Sequence, residues 1–203
     1  MPERLPLAEL TSEDAARLGD LSLALLDLRS VMDLCERLDA ELEKPAGDQD
    51  WLLVEALWTA ALVKYVRCFA SGKRSTVEVS VFDGLDGAAD THQHFKNMRD
   101  KHVAHSVNPF EGVKVGVVLG GEPGAFCAEG IAVLERRLIC TDRAGVQTLR
   151  RLASVAQKSL RLRCQTLRDT VLEWAKSQPP GTLQPGSLGL TTPGPEQAGD
   201  ARE

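Results

Sequence analysis

The stretch RAGVQTLRRLASVAQKSLRLRCQTLRDTVLEWAKS, residues 143–177, decides the fold. Within it Val146, Leu149, Ala153, Ala156, Leu160, Cys164, Leu167, Val171 and Trp174 recur at steps of three and four for about eight turns. Such steps follow the helical repeat and align the apolar side chains on one stripe, so the segment is an amphipathic helix that must pack lengthwise on other helices. Asp142, just ahead of it, can accept hydrogen bonds from the free amides of its first turn.

Working outward, residues 113–119 and 130–139 are β-branched and partly alternating, with Gly120-Gly121-Glu122-Pro123-Gly124 between them. This pattern predicts a β-hairpin at about 112–140 with a long tip. Near the start, Thr11-Ser12-Glu13-Asp14 offers a capping hydroxyl and acidic first-turn residues. Leu18, Leu21, Leu25, Leu28, Met32, Cys35, Leu38 and Leu42 then form one stripe that ends near Lys44-Pro45-Ala46-Gly47. Asp48 or Asp50 can cap a second helix from Trp51 to Phe69, apolar nearly all round, which predicts a central position. Residues 76–82 alternate like a strand but are short, and are read as loop or a brief extended piece. After the turn Asp83-Gly84-Leu85-Asp86-Gly87, a third helix is predicted from Ala88 to about Ser106, closed by Asn108-Pro109.

The predicted fold is therefore mainly α: an up-down helical bundle of about four long helices with a β-hairpin inserted before the last. Residues 1–177 form one domain. Residues 178–203, dominated by Pro, Gly, Thr and Ser, are expected to be a disordered tail.

Composition narrows the function classes. The 203-residue chain is 43% hydrophobic, enough for a real core. No signal peptide is evident, and the longest apolar run, Leu52 to Val66, carries Glu55 and Lys64 and is too short to span a bilayer, so a soluble cytoplasmic protein with no membrane partner is expected. The five cysteines are odd in number, scattered and never spaced as CxxC, which argues against a disulfide framework or zinc knuckle. Aromatic residues are 4% of the chain, too few for a base-stacking surface. Residues 1–50 carry thirteen acidic against five basic residues, whereas residues 142–168 carry seven basic against one acidic. The basic stretch is either a solvated helix face set against the acidic first helix or an anion-facing surface. The net charge of -5 opposes strong nonspecific RNA binding, and only the last helix partly compensates.

The chemistry concentrates elsewhere. All four histidines, His92, His94, His102 and His105, fall near or within Met98-Arg99-Asp100-Lys101-His102-Val103-Ala104-His105-Ser106. A guanidinium grips phosphate in a fork, and an imidazole moves protons near neutral pH. On an ideal helix Arg99, His102 and His105 share one side, together with Phe95 and Met98, so the alternative is a buried seam with satisfied polar groups.

The string Arg99-Asp100-Lys101-His102-Val103-Ala104-His105-Ser106 resembles the R-x(4-6)-H signature of the HEPN superfamily, in the form found in its abortive-infection AbiU-type branch. The resemblance spans roughly residues 8–177 in element order, and this motif alone at the level of sequence. It implies an all-α bundle that pairs into a homodimer and brings two motifs into a composite site, in metal-independent ribonucleases acting as toxins or phage-defence effectors. Arg99 corresponds to the motif arginine, Asp100 to the polar residue after it and His105 to the motif histidine. RNA is then the substrate, no cofactor is required, and an antitoxin protein is a candidate partner.

Cutting RNA without a metal requires a proton to leave the 2′-hydroxyl and a more negative transition state to be stabilised. His105 is the candidate proton-transfer group, Arg99 the phosphate clamp and Asp100 an orienting carboxylate; His102 is either a second acid or structural. Lys101, Arg150 and Arg151 are candidate RNA contacts. Two other readings stand: a catalytically silent helical dimerisation or nucleotide-binding module, and a metal-binding regulator using H-x-H at His92 and His94 with H-x2-H at His102 and His105. Residues two apart on a helix diverge, and no carboxylate or cysteine cluster lies nearby, so no metal is expected.

Overall fold

Three helices begin where a side chain oxygen accepts the otherwise unpaired first-turn amides. Ser12 accepts from Ala15 N, Asp50 from Leu52 N and Leu53 N, and Asp142 from Gly145 N, at 2.8 to 3.2 Å. The computed structural model describes residues 7–70, 75–103 and 111–186. Among these residues the chain is mainly helical: α1 Glu13–Leu42, α2 Trp51–Arg67, α3 Ala88–Met98 and α4 Arg143–Ser177, with strands β1 Glu111–Gly120 and β2 Cys127–Arg137 ahead of α4. No helix among them is long and apolar enough to cross a membrane.

The two long helices run antiparallel. Arg143 near the start of α4 donates to Asp39 near the end of α1, and Arg150 pairs with Glu36. Their shared seam buries Leu21, Leu28, Val31, Cys35 and Leu38 of α1 and Val146, Leu149, Ala153, Ala156, Leu160 and Cys164 of α4. The predicted α4 stripe is thus the buried face, except at its end. Trp174 is half-exposed because α4, five residues longer than α1, outruns its partner.

The second predicted helix is not enclosed. Helix α1, rather than α2, takes the middle, packing against both α2 and α4. Val54, Trp58, Ala61, Leu62 and Tyr65 of α2 are buried, whereas Leu52 is 78% exposed and Trp51, Leu53 and Val63 are also open. An apolar circumference records what a helix can bury, and too few elements surround α2 to use it all. Asp27 of α1 clamps the pair. Its carboxylate accepts from Arg67 and, at 3.3 Å, from Lys64; burial alone raises its pKa, but the two cations outweigh this and hold it below the ordinary value.

Between α2 and α3 the chain makes a short 3-10 turn at Val79–Phe82 rather than a strand. Only the approach is extended, with Val77 N donating to Cys68 O at 2.9 Å, and Phe82 turns into the core. Gly87, at φ +65°, supplies the left-handed residue from which α3 starts. Beyond α4, Gly186 N donates to Leu7 O at 2.7 Å, tying the start of the predicted tail to the start of the described chain. Residues 187–203 lie outside the described residues.

The hairpin forms where expected, with β2 beginning earlier, at Cys127, and ending at Arg137. Leu138 and Ile139 leave the ladder and pack on the helical core instead. Register is antiparallel, from Glu111 opposite Arg137 to Gly120 opposite Cys127, with an irregularity at Val118/Leu119. At the tip, a Cβ on Gly121 (φ +96°) would lie 2.7 Å from Ala125 O, so the turn admits no side chain there.

Candidate functional site

Helix α3 is fixed by aromatic packing before it reaches the motif. Phe95 meets Trp58 and Tyr65 edge-on at ring-centre distances of 6.0 and 6.3 Å, and Met98 is 3% exposed. His92 lies inside a cage of Tyr65, Phe69 and Phe82, its Nδ1 sharing a 3.0 Å hydrogen bond with the Tyr65 hydroxyl. Desolvation, and secondarily Lys96, push the His92 pKa below its ordinary value, so the ring is held neutral. Burial pushes the Tyr65 phenol upward, which keeps its proton in place.

The motif follows without a break, but not as the continuous α-helix that the sequence suggests. After Met98 the backbone widens into a π-helical turn, Arg99–Val103. A repeat of i to i+5 changes the angular step between residues, so the ideal-helix placement of Arg99 and His102 on adjacent arcs does not describe this turn. Such turns recur at functional sites because they redirect side chains from an otherwise regular helix. Here Met98 stays in the core while Arg99 and Asp100 are only half-buried. Arg99 Nη1 lies 2.9 Å from Asp100 Oδ1. The turn packs against α2, and Lys101 is exposed.

The structure therefore brings Arg99 and Asp100 together and presents Lys101 beside them. His105, Ala104, Ser106 and the predicted helix end at Asn108-Pro109 lie outside the described residues, as does the side chain of His102. Of the other two candidate RNA contacts, Arg150 is occupied by Glu36 at 2.9 Å, whereas Arg151 is exposed on α4. The basic face of α4 is in good part matched to acidic neighbours, since Arg143 pairs with Asp39 and Glu43, and Arg163 with Glu78.

His92 and His94 do not act together. His92 is locked in the core, whereas His94 is exposed and stacks edge-on to Phe95. Among the described residues no group of three His, Cys, Asp or Glu side chains is placed to hold a metal ion. The cysteines are free: Cys35, Cys68 and Cys164 are buried and Cys140 half-buried, with burial pushing the thiols of Cys35, Cys68 and Cys140 up to about 12. Cys127 is exposed on β2. An open polar cleft of about 440 Å³, between the first turns of α1, residues 75–78 and Arg163, contains none of the candidate residues.

No protein-family model, curated protein or solved structure matches this chain. The residues and their geometry carry the functional argument.

Proposed function

We propose that the protein is a HEPN-type, metal-independent endoribonuclease of the toxin or phage-defence kind, working in the cytoplasm as a homodimer of up-down helical bundles. The observation that carries this reading is the Arg99–Asp100 pair on a π-helical turn, half-buried at the end of a helix otherwise anchored in the core. A guanidinium so placed is oriented by a carboxylate and, with its side chain 29% exposed, still reaches solvent, as a phosphate clamp must.

The steps follow from the residues. His105 takes the proton of the ribose 2′-hydroxyl as that oxygen attacks the neighbouring phosphorus. Arg99 stabilises the extra negative charge as the transition state forms. The bond to the 5′-oxygen breaks, that oxygen receives a proton, and the products are a 2′,3′-cyclic phosphate and a 5′-hydroxyl. Asp100 orients Arg99, with Lys101 and Arg151 holding the RNA backbone.

A second reading, a catalytically silent dimerisation or nucleotide-binding module, draws support from the same ion pair. Arg99 already has a carboxylate partner within its own turn. The two readings separate when wild type and His105→Ala are incubated with mixed-sequence RNA in chelator. Ends carrying 2′,3′-cyclic phosphate from wild type alone support the nuclease; intact RNA in both samples, with binding retained, supports the silent module.

A further inference from the structure

Strands β1 and β2 pack on each other and on no helix to any comparable extent. A two-stranded ribbon alone in water is marginally stable at best, so its side chains call for a covering surface. Residues opposite each other in an antiparallel ribbon project to the same side, and successive residues alternate sides. The register pairs Val113 with Glu135, Val115 with Val133 and Val117 with Ile131, so one face gathers Val113, Val115, Val117, Ile131 and Val133. All five are between 53% and 69% exposed. The opposite face carries Gly112, Lys114, Gly116, Val118, Gly130, Ala132, Leu134 and Arg136, where Val118 and Leu134 are the exposed large apolar residues and the others are small or charged.

The apolar face does not stop at the ribbon. Arg137, on the same side at the root, pairs with Glu55 of α2. That contact sets the face beside the first turn of α2, where Trp51 and Leu52, on the side of Glu55, are 49% and 78% exposed. We infer that this joint surface, the Val113/Val115/Val117/Ile131/Val133 face and the first turn of α2, is where a second copy of this chain docks. The inference deepens the reading above: it rests on its dimer and not on its chemistry.

Three observations select a second copy. The first is area: at roughly 100 Å² of apolar surface per fully exposed side chain of this size, the seven residues present on the order of 400 Å². This is about half of the roughly 800 Å² per partner of a stable interface, with rim and backbone left to supply the rest, and it falls in the range of the largest apolar patch of a monomer, which is often functional. The second is layout, because the charged members of this face, Glu111, Glu135 and Arg137, all lie at the root and leave the remainder apolar, as the core of a protein interface is depleted of charge. A projecting ribbon beside an open helix turn also lets two copies cover each other around a twofold axis, the ribbon of one lying on the helix turn of the other.

The third is the weakness of the other occupants. The chain's own residues 187–203 contribute only Leu188 and Leu190 as large apolar groups, too few to cover seven. A lipid surface is opposed by Glu122 and Glu129, which sit around the tip that would enter it. Helix α3 runs from Tyr65 and Phe69 at His92 to Trp58 at Phe95, so the π-helical turn that follows packs toward the start of α2, on the side of the helix end where the copy docks.

Sedimentation equilibrium on the full chain tests this. Wild type is expected at twice 22.0 kDa, and Val115→Lys/Val133→Lys at 22.0 kDa with unchanged helical circular dichroism, its dimer weakened at least about 100-fold. Leu52→Lys, on the helix instead of the ribbon, is expected to do the same, and it decides the matter should the double variant lose helicity. A wild type that sediments as a monomer at tens of micromolar overturns both this inference and the dimer of the proposed function. A wild-type dimer that survives the lysines overturns this inference alone.

Discussion

Met98 and Arg99 are adjacent, yet they belong to two different materials. On one side of that peptide bond, His92, Phe95 and Met98 are sealed among Trp58, Tyr65, Phe69 and Phe82. On the other, the helix widens, the side chains are half-open, and an arginine and an aspartate face each other at 2.9 Å. The contrast teaches that the motif does not hold itself in place. Its position is inherited from the aromatic cage one turn upstream, as a site with chemistry to perform benefits from a rigid support.

Breaking the support is expected to have the largest effect on stability. Phe95→Ala removes a fully packed ring between Trp58 and Tyr65, and chemical denaturation should show a loss of about 3–5 kcal/mol. RNA cleavage should fall with it. The same scan on Arg99→Ala, which loses one partly exposed ion pair, should change stability by no more than about 1 kcal/mol.

The clamp between α1 and α2 comes next. Asp27→Asn keeps the shape but removes the charge that faces Arg67 and Lys64, and with Arg67 half-exposed the cost should be about 1 kcal/mol. The sign of its pH dependence follows from a pKa held below the ordinary carboxylate value. This contribution is present above about pH 4 and is lost as pH falls through the folded-state value, so the acid limb of a stability curve should be shallower in the variant.

His92 sharpens the comparison within α3 itself. Its pKa is depressed from 6.5 by desolvation and by Lys96, so the folded chain binds fewer protons there than the unfolded one. Stability should therefore be full above about pH 6.5 and decline as pH drops below it, while His92→Phe, at a site already lined by aromatic rings, should show no such decline. Thermal unfolding monitored between pH 5 and 8 checks both halves of this statement. The smallest expected effect is at the periphery: Arg150→Ala, which loses only the exposed pair with Glu36, should cost less than about 0.5 kcal/mol.

The sequence declared some of this plainly. Ser12, Asp50 and Asp142 cap as their residue types require, the α4 periodicity is the buried seam, and β-branched runs around a glycine-rich turn are the hairpin. These are local signals, and local physics is enough to read them. What escaped depends on residues distant in the chain. The apolar circumference of α2 reads the same whether Leu52 faces a neighbour or water, and only the number of packed elements decides. That His92 and His94 diverge is legible in the sequence, but that Phe69 and Phe82 arrive from separate segments to enclose His92 is not. The π-helical turn leaves no mark in a pattern of threes and fours, because its extra residue is visible only in the backbone hydrogen bonding. Of the candidate site, Arg99 and Asp100 were legible as a pair, and their openness to solvent was not.

The central claim is that the Arg99 guanidinium works on a phosphodiester. The direct measurement is single-turnover cleavage of a mixed-sequence RNA in chelator by wild type and Arg99→Ala, with helicity and unfolding temperature recorded on the same samples. The account predicts 2′,3′-cyclic phosphate products from wild type and a loss of at least about 100-fold in the variant, with both folds intact. Equal cleavage by the two proteins, or intact RNA with folded wild type, would contradict it.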